Sequence, residues 1–476
     1  MVERRAALVH ALAQRLGAEV IETHISWVLV GPELVYKVKK PVRLPFLNYA
    51  TLSRRRRCCQ EEVRVNGAMA PSLYPGVARL TGGAASPGVG GPGPVVHHAG
   101  RMRRFAQGAL FSERLAAGTL GTQEVDDLAA MLVAAHGRAP RRQAVSAHPS
   151  VHQRALGALG GAKPFLSGQQ VQQLGAWFTE GALKLAPEWK MRGRTGHVRE
   201  CHGDLHLDNV VDLDGRATAF DAIDFDPALR WIDVVEDAAF PAMDFAARGR
   251  SDYCWRFLNA WLDGTGEHAA AGVLRYALAY RALVRAQVEG MRTAGHAQAA
   301  AYVRAALQWS CPAAPRLVIT HGLPGSGKTF RSQQLLERDG AIRVRSDVER
   351  KRLFGLGALE PSSGRGLDIY TVGATRRTYE RLFELASAIL EAGFTAVIDA
   401  AFLRRGERDA ARALASRHGV SFEILACEAP DAVLRERLVA RVSDASEADP
   451  GVLHRLAASA EPLTPDERLR AELRRG

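Results

Sequence analysis

The chain has 476 residues, 47% of them hydrophobic and 24% charged. That length predicts two or three cores, and that composition excludes a wholly disordered chain. The net charge of +12 is concentrated ahead of Pro312, where 37 basic residues stand against 28 acidic ones, compared with 26 and 23 after it. No stretch approaches the roughly 18 unbroken apolar residues of a membrane-spanning helix, so no membrane partner is expected. The opening run MVERRAALVHALAQRLGAEV is interrupted by His10, Gln14 and Arg15 and reads as an amphipathic helix, not a secretory signal. The six cysteines form no Cys-x-x-Cys pair. This removes support for a zinc ribbon or thioredoxin-like chemistry and suggests a reducing, cytoplasmic setting. Eight of the 63 basic residues are lysine, so a lysine in a motif position is less often accidental. The run Arg54-Arg55-Arg56-Arg57 reads as a solvated helix face, with contact to RNA or a phosphorylated substrate as its alternative.

In chain order, Trp27–Val30, Leu34–Val38 and Val77–Leu80 are strand-like. Thr81 to Pro94, rich in Gly and Pro, reads as a long hairpin connection. Alternation along a strand puts Lys37 and Lys39 on one side. Glu62 falls in a helical segment, Cys59–Ala68, and is the expected partner of Lys37; Lys39 and Glu61 are the alternatives. From Gln123 onward the pattern is mostly helical, with a β-like stretch near Val210–Phe225. A small β-rich lobe followed by a larger helical lobe is expected.

The stretch His202-Gly203-Asp204-Leu205-His206-Leu207-Asp208-Asn209 carries H-x-D followed five residues later by Asn, and Asp224 comes fifteen residues after Asn209. This is the spacing of a kinase catalytic loop and its metal-binding Asp. In that chemistry Asp204 accepts the proton of a substrate hydroxyl, Asn209 and Asp224 hold Mg²⁺, and Lys37, paired with Glu62, meets the nucleotide phosphates. A metal cluster of His202, Asp204 and His206, or an ordinary polar turn, are the competing readings. No G-x-G-x-x-G loop precedes Lys37.

Lys37, Glu62, HGDLHLDN, IDFD and Leu229–Asp237 (LRWIDVVED) together resemble the aminoglycoside-phosphotransferase family of kinase-like folds, over roughly Thr23–Trp309. The resemblance implies a two-lobed α+β domain using ATP and Mg²⁺. It does not imply an antibiotic as substrate, because acceptor choice lies in the helical lobe that the motifs do not cover.

The clearest seam is Cys311-Pro312-Ala313-Ala314-Pro315, where two prolines stop a helix. Beyond it, strand-like and helical stretches alternate from Leu317 to Cys427, which predicts a parallel α/β sheet. Gly322-Leu323-Pro324-Gly325-Ser326-Gly327-Lys328-Thr329 fits G-x-x-x-x-G-K-[ST] between a strand and a helix. Backbone N–H groups of Gly322, Gly325, Ser326 and Gly327 would cradle phosphate. Lys328 would reach the β- and γ-phosphates, and Thr329 would bind Mg²⁺. Asp347, at the end of the second strand, is the candidate base, with a helix cap as its bland alternative. Asp399 follows a strand and is the candidate second-sphere metal carboxylate. Arg437 and Arg441, four apart on a predicted helix, would close over the phosphates.

GLPGSGKT, RSDVERKRLFG, AVIDAAFL and RVSDASEADP resemble the P-loop predicted kinases related to zeta toxins and polynucleotide kinases, over nearly all of Arg316–Pro465. The whole chain resembles bacterial proteins that fuse such a domain to an aminoglycoside-phosphotransferase-like one. The expected division is 1–311, a kinase-like domain, and 312–476, a P-loop domain. The expected function is ATP-dependent transfer of the γ-phosphate to hydroxyl groups of small molecules, with two candidate nucleotide sites. The alternative is a P-loop kinase, for instance of a polynucleotide 5′-hydroxyl, joined to a non-catalytic kinase-like ligand-binding module. Nucleic acid is the less favoured acceptor, since no aromatic-rich RNA signature is present.

Overall fold

The computed structural model describes residues 2–472 apart from 24, 45–46, 84, 143–147, 293–294, 312–313 and 441–444. Arg441 and part of the proline seam therefore lie outside the described residues. The chain packs as two compact units, residues 1–145 with 192–237 and residues 146–191 with 238–476. The sequence seam at 311/312 follows the chain, whereas the packing draws the helical segments 146–191 and 238–310 into one unit with the P-loop sheet.

The first unit is built on a six-stranded antiparallel sheet. Its strands lie in the order Glu19–Glu22, Ser26–Val30, Leu34–Lys39, Val95–Arg103, Gly76–Thr81, Gly88–Val89. The Gly/Pro-rich stretch is the expected hairpin connection, closed at its neck by Gly82 N–H on Pro94 O at 3.3 Å. Period-2 alternation sends Tyr36 and Val38 to one face, where Trp27, Leu29 and the opening helix Val2–Leu16, through Leu8, Val9 and Leu12, close an apolar core. The same alternation sends Lys37 and Lys39 to the opposite face. There they meet Glu62 of the helix Leu52–Met69. The basic run at the head of that helix is not wholly solvated. Arg55 is buried, with Nη1 donating to Tyr49 O and Ala50 O, because i, i+4 spacing puts it on the same helix face as Cys59. Further along, strands Val198–Glu200 and Trp231–Asp233 pair antiparallel and bracket the candidate catalytic loop and the hairpin Val210–Leu213/Arg216–Ala219.

The second unit contains a four-stranded parallel sheet in the order Ile342–Arg345, Ala396–Asp399, Arg316–His321, Ser421–Ala426. Leu317–Thr320 and the whole strand Ala396–Asp399 are buried, as strands covered on both faces must be. The Ile342–Arg345 strand is an edge, and its unpaired backbone needs partners. Asn259, on the helix Ser251–Thr265, supplies them: Nδ2 donates to Ala341 O at 2.8 Å and Oδ1 accepts from Arg343 N–H at 2.7 Å. One side-chain amide thus does the work of an adjacent strand's peptide. His268 adds a contact of 3.1 Å between Nε2 and Arg343 O, and Arg352 donates to Asp263 O. Arg275 lies over the Phe394 ring and donates to Gly393 O and Trp309 O.

Replacing Asn259 with Ala orphans a buried N–H and a buried C=O, each worth about 1–3 kcal/mol. We expect Asn259→Ala to destabilise the full chain by at least about 2 kcal/mol in chemical unfolding, and Asn259→Asp to fail to restore it, since a carboxylate cannot donate to Ala341 O. Burial also pushes His268 down to about 4, against the pull of Asp263. Its folded value lies below the unfolded one, so the unfolded chain holds the extra proton between pH 6.5 and 4, and stability falls as pH drops through that window. A cost on the order of 3 kcal/mol follows from the shift. His268→Gln should flatten this acid limb in unfolding curves taken at pH 4.5 and 7.

Candidate functional site

In the first unit Lys37, Glu62 and Asp224 fall in one charged cluster, and Asp204 and Asn209 fall in one loop. Lys37 pairs with Glu62 at 3.3 Å and with Asp221. Lys39 sits between Glu62 at 2.9 Å and Asp224 at 2.5 Å, with all three buried. Both lysines therefore share Glu62, and the nearer partner of the predicted metal carboxylate is Lys39, not Lys37. Glu61 takes no part in this cluster. It belongs to a separate network with Arg64, Arg230 and Glu200. Burial opposes the charge on Lys39, but Asp224 and Glu62 outweigh it and hold the ammonium well above its ordinary range. For Asp224, burial wins over Lys39, and its carboxyl is raised.

The loop carrying Asp204 is pinned from behind. Asp237 accepts from Gly203 N–H at 2.8 Å, from His202 N–H at 3.2 Å, and faces His136 Nε2 at 3.1 Å. Burial works against its charge, but the hydrogen bond from His136 and these amides keep Asp237 low. His202 donates Nε2–H to Phe220 O at 2.8 Å and accepts Asp204 N–H on Nδ1. Both ring nitrogens are spent, so the alternative of a His202, Asp204 and His206 metal cluster loses its first ligand. Burial keeps this imidazole neutral by lowering its pKa. Asn209 donates Nδ2–H to Asp204 O at 2.9 Å, which leaves its amide oxygen for another partner. Asp221, which the motif reading did not single out, adopts a positive φ of 59°. It is held there by Tyr74 Oη on its N–H and by Asn66 on Ala222 N–H. The connection after the Ser26–Val30 strand, residues 31–33, is a tight turn closed by Gly31 N–H on Leu34 O at 3.0 Å, and it holds a single glycine.

In the second unit, the segment between the Arg316–His321 strand and the Lys328–Asp339 helix has P-loop geometry. Gly322 has φ of 145°, and a Cβ there would meet Cys427 O at 2.2 Å; at Gly325, φ 83°, it would meet Leu434 O at 2.9 Å. Only glycine lets the backbone pass this closely. Lys328 Nζ lies on Gly322 O and Leu323 O, both at 2.9 Å, across the mouth of the loop. Thr329 Oγ1 donates to Asp399 Oδ2 at 2.8 Å. A hydroxyl and a carboxylate joined in this way are the hard oxygen donors that Mg²⁺ takes, directly or through water.

These groups line a cleft of about 1380 Å³ that also holds Asp347 and Arg437. Asp347 is the second residue of the helix Ser346–Leu353. Arg345 occupies its cap position without a side-chain cap bond, so Asp347 is not a cap. Arg437 donates to Gly325 O at 3.1 Å from the helix Asp431–Val439, and Arg441 falls past that helix and outside the described residues. Among the contributors to the cleft that motif reading did not single out are Arg350, Tyr370 and Tyr379. Glu447 braces the wall, bound to Ser362 N–H at 2.9 Å, to Lys351 at 3.0 Å and, through its own N–H, to Tyr370 Oη.

A parallel sheet with a glycine-lined loop between its strand and helix defines the second unit as carrying a P-loop domain, while the first unit sets a lysine–glutamate pair on an antiparallel sheet beside a loop with kinase-like spacing. Residues 317–463 match the family described as AAA domain. Over 463 residues the chain is 28% identical to an uncharacterized protein of Mycobacterium tuberculosis (strain ATCC 25618 / H37Rv), covering 94% of this chain and 91% of that one. Similar solved structures include a choline kinase from Cryptosporidium parvum, 11% identical over 61% of this chain and 88% of that one with a TM-score of 0.40. They also include an aminoglycoside phosphotransferase from Streptomyces rimosus, 14% identical over 60% and 99% with a TM-score of 0.39.

The buried cluster around Lys39 makes a sharp prediction. Removing one partner of a buried ion pair costs about 3–5 kcal/mol, because the other charge is left uncompensated. We expect Lys39→Met to lower stability by that order at pH 7.5. Without the lysine, burial lifts Asp224 further, so the native state holds a proton that the unfolded chain has released. Stability of the variant should then rise as pH falls toward 5, a trend that urea unfolding at the two pH values reads directly.

Proposed function

We propose that the chain is an ATP-dependent phosphotransferase that carries the γ-phosphate to a hydroxyl of a small molecule, with the P-loop cleft as its principal site. The contact of Thr329 with Asp399, in one cleft with Lys328 and Asp347, carries this reading. In it, the P-loop amides and Lys328 bind the β- and γ-phosphates, and Thr329 and Asp399 hold Mg²⁺. The metal, when bound, neutralises charge on the transferring group. Asp347 accepts the acceptor's hydroxyl proton as the new O–P bond forms and the bond to the ADP oxygen breaks. Arg437 balances charge from the lid side. A polynucleotide 5′-hydroxyl is the alternative acceptor, and a steep loss of activity with salt would favour it.

A second transfer site in the first unit is supported by the cluster of Lys37, Glu62 and Asp224 and by the loop in which Asn209 holds the Asp204 carbonyl. The lack of a glycine-rich sequence ahead of Lys37, and Lys39 lying on Asp224, instead support a ligand-binding module. We retain the division into 1–311 and 312–476 as the functional one, and a cytoplasmic location as part of the proposal. Among the described residues no helix is long and apolar enough to cross a membrane.

Three variants of the full chain test this. Lys328→Ala should lose most Mg²⁺-dependent ATP binding in calorimetry. Asp347→Asn should keep binding and lose about 10²–10⁴-fold in transfer, the usual worth of a general base. Unchanged binding in the first, or unchanged transfer in the second, would remove the assignment. Any Mg²⁺-dependent binding that survives Lys328→Ala should vanish on adding Asp224→Ala if the first unit is a working site, and persist if it is not.

A further inference from the structure

We propose that the acceptor taken by the P-loop cleft carries an anionic group, a carboxylate or a phosphate, close to its reacting hydroxyl, and that Arg350 binds that group. The inference rests on the phosphotransferase reading above and names the acceptor class that the reading leaves open.

Arg350 is 7% exposed and lines the cleft with Asp347. Its Nη1 donates to Ile369 O and to Thr375 Oγ1, both at 3.2 Å, and its guanidinium lies 5.0 Å from the Tyr370 ring centre. All of these partners are neutral. Its Nε is buried without an acceptor, and no carboxylate among the described residues lies within 4.0 Å of it. Arg55 donates to two carbonyls and Arg281 lies over the Phe240 and Tyr280 rings, whereas other buried arginines are answered by carboxylates: Arg192 by Asp233, Arg230 by Glu200, Arg285 by Glu289, Arg343 by Asp263 and Arg408 by Glu467. Arg275 lacks one, but both of its terminal nitrogens are spent on carbonyls and it does not line the cleft. The neighbouring acids cannot serve Arg350, since Glu349 is taken by Arg352 and Arg381, and Glu447 by Lys351 and Ser362. A guanidinium held out of water is costly unless an anion meets it. Because it faces a cleft and not the core, the anion can arrive with the ligand.

Spacing sets the geometry of that ligand. Asp347 and Arg350 are i and i+3 on one helix, so they share a face with Cβ atoms about 5–6 Å apart. A hydroxyl at Asp347 and an anion at Arg350 then belong to one small molecule, a few bonds apart. Arg345, Arg404 and Arg455 line the same cleft and favour the same sign of charge. A neutral polyol would leave the guanidinium unanswered.

The test uses the full chain saturated with Mg²⁺ and a non-hydrolysable ATP analogue, which fills the P-loop. Inorganic phosphate or acetate is then titrated against chloride at constant ionic strength, and thermal unfolding is followed. Wild type should show a saturable rise in Tm that Arg350→Gln lacks, while the variant keeps the rise caused by the analogue, which proves it folded. Arg350→Lys should recover part of the effect. An ADP-release assay with glycerol, glycerate and glycerol 3-phosphate then separates carboxylate from phosphate as the source, and Arg350→Gln should raise KM for the active one about 10–100-fold, as expected for a hydrogen-bonded charge pair. No saturable rise in wild type, an equal rise in Arg350→Gln, or transfer to glycerol as efficient as to either anion overturns the inference. If the analogue itself fails to raise the Tm of wild type, the phosphotransferase reading falls first and takes this one with it.

Discussion

A charge taken out of water must be met by an opposite charge or by oriented dipoles, and this constraint sorts the two candidate sites. In the first unit the demand is met from within. Lys37 and Lys39 face Glu62, Asp221 and Asp224, and Asp237 is met by His136 and two loop amides. In the P-loop cleft the demand is met only in part. The glycine-lined amides, Lys328 and the arginines Arg345, Arg350, Arg376, Arg404, Arg437 and Arg455 present positive character to a cavity of about 1380 Å³ in which the carboxylates are Asp347, Glu380, Asp399, Glu407 and Glu461. A site that closes its own charge balance is stable without ligand. One that does not is built around the ligand that completes it.

The same accounting applies to the backbone. A four-stranded parallel sheet has two edges, and each edge leaves N–H and C=O groups to be satisfied. On the Ile342–Arg345 edge the answer comes from Asn259 and His268, which belong to the helical part of the chain ahead of the proline seam. Asp347 stands two residues beyond that strand, so the helix that carries the candidate base and Arg350 starts from an edge held by a distant amide. The contact thus couples the stability of the sheet to the placement of the site's acceptor side.

Much was legible in the sequence because it is local. The phosphate-binding loop is a run of eight residues, and its physics of positive φ and close approach needs nothing beyond glycine at fixed places. The catalytic-loop spacing, the parallel βαβ rhythm and the alternation that puts Lys37 and Lys39 on one side are local in the same sense, and all appear in the fold. What misled was also local. A run of four arginines looks solvated until helix periodicity turns one of them, Arg55, inward toward carbonyls at the helix start.

The sequence by itself therefore determined the two motifs, a loop with kinase-like spacing and a P-loop, because each is written in residues adjacent or evenly spaced along the chain. Only the tertiary structure decided that Lys39 and not Lys37 lies on Asp224, that Asp237 anchors the loop from thirty-four residues away, and that Asn259 pairs a sheet edge eighty-four residues on. It also decided that Arg350 is buried without a carboxylate. Pairing and its absence depend on which distant side chains arrive within a few ångströms once the apolar faces have packed, and no local pattern encodes that arrival.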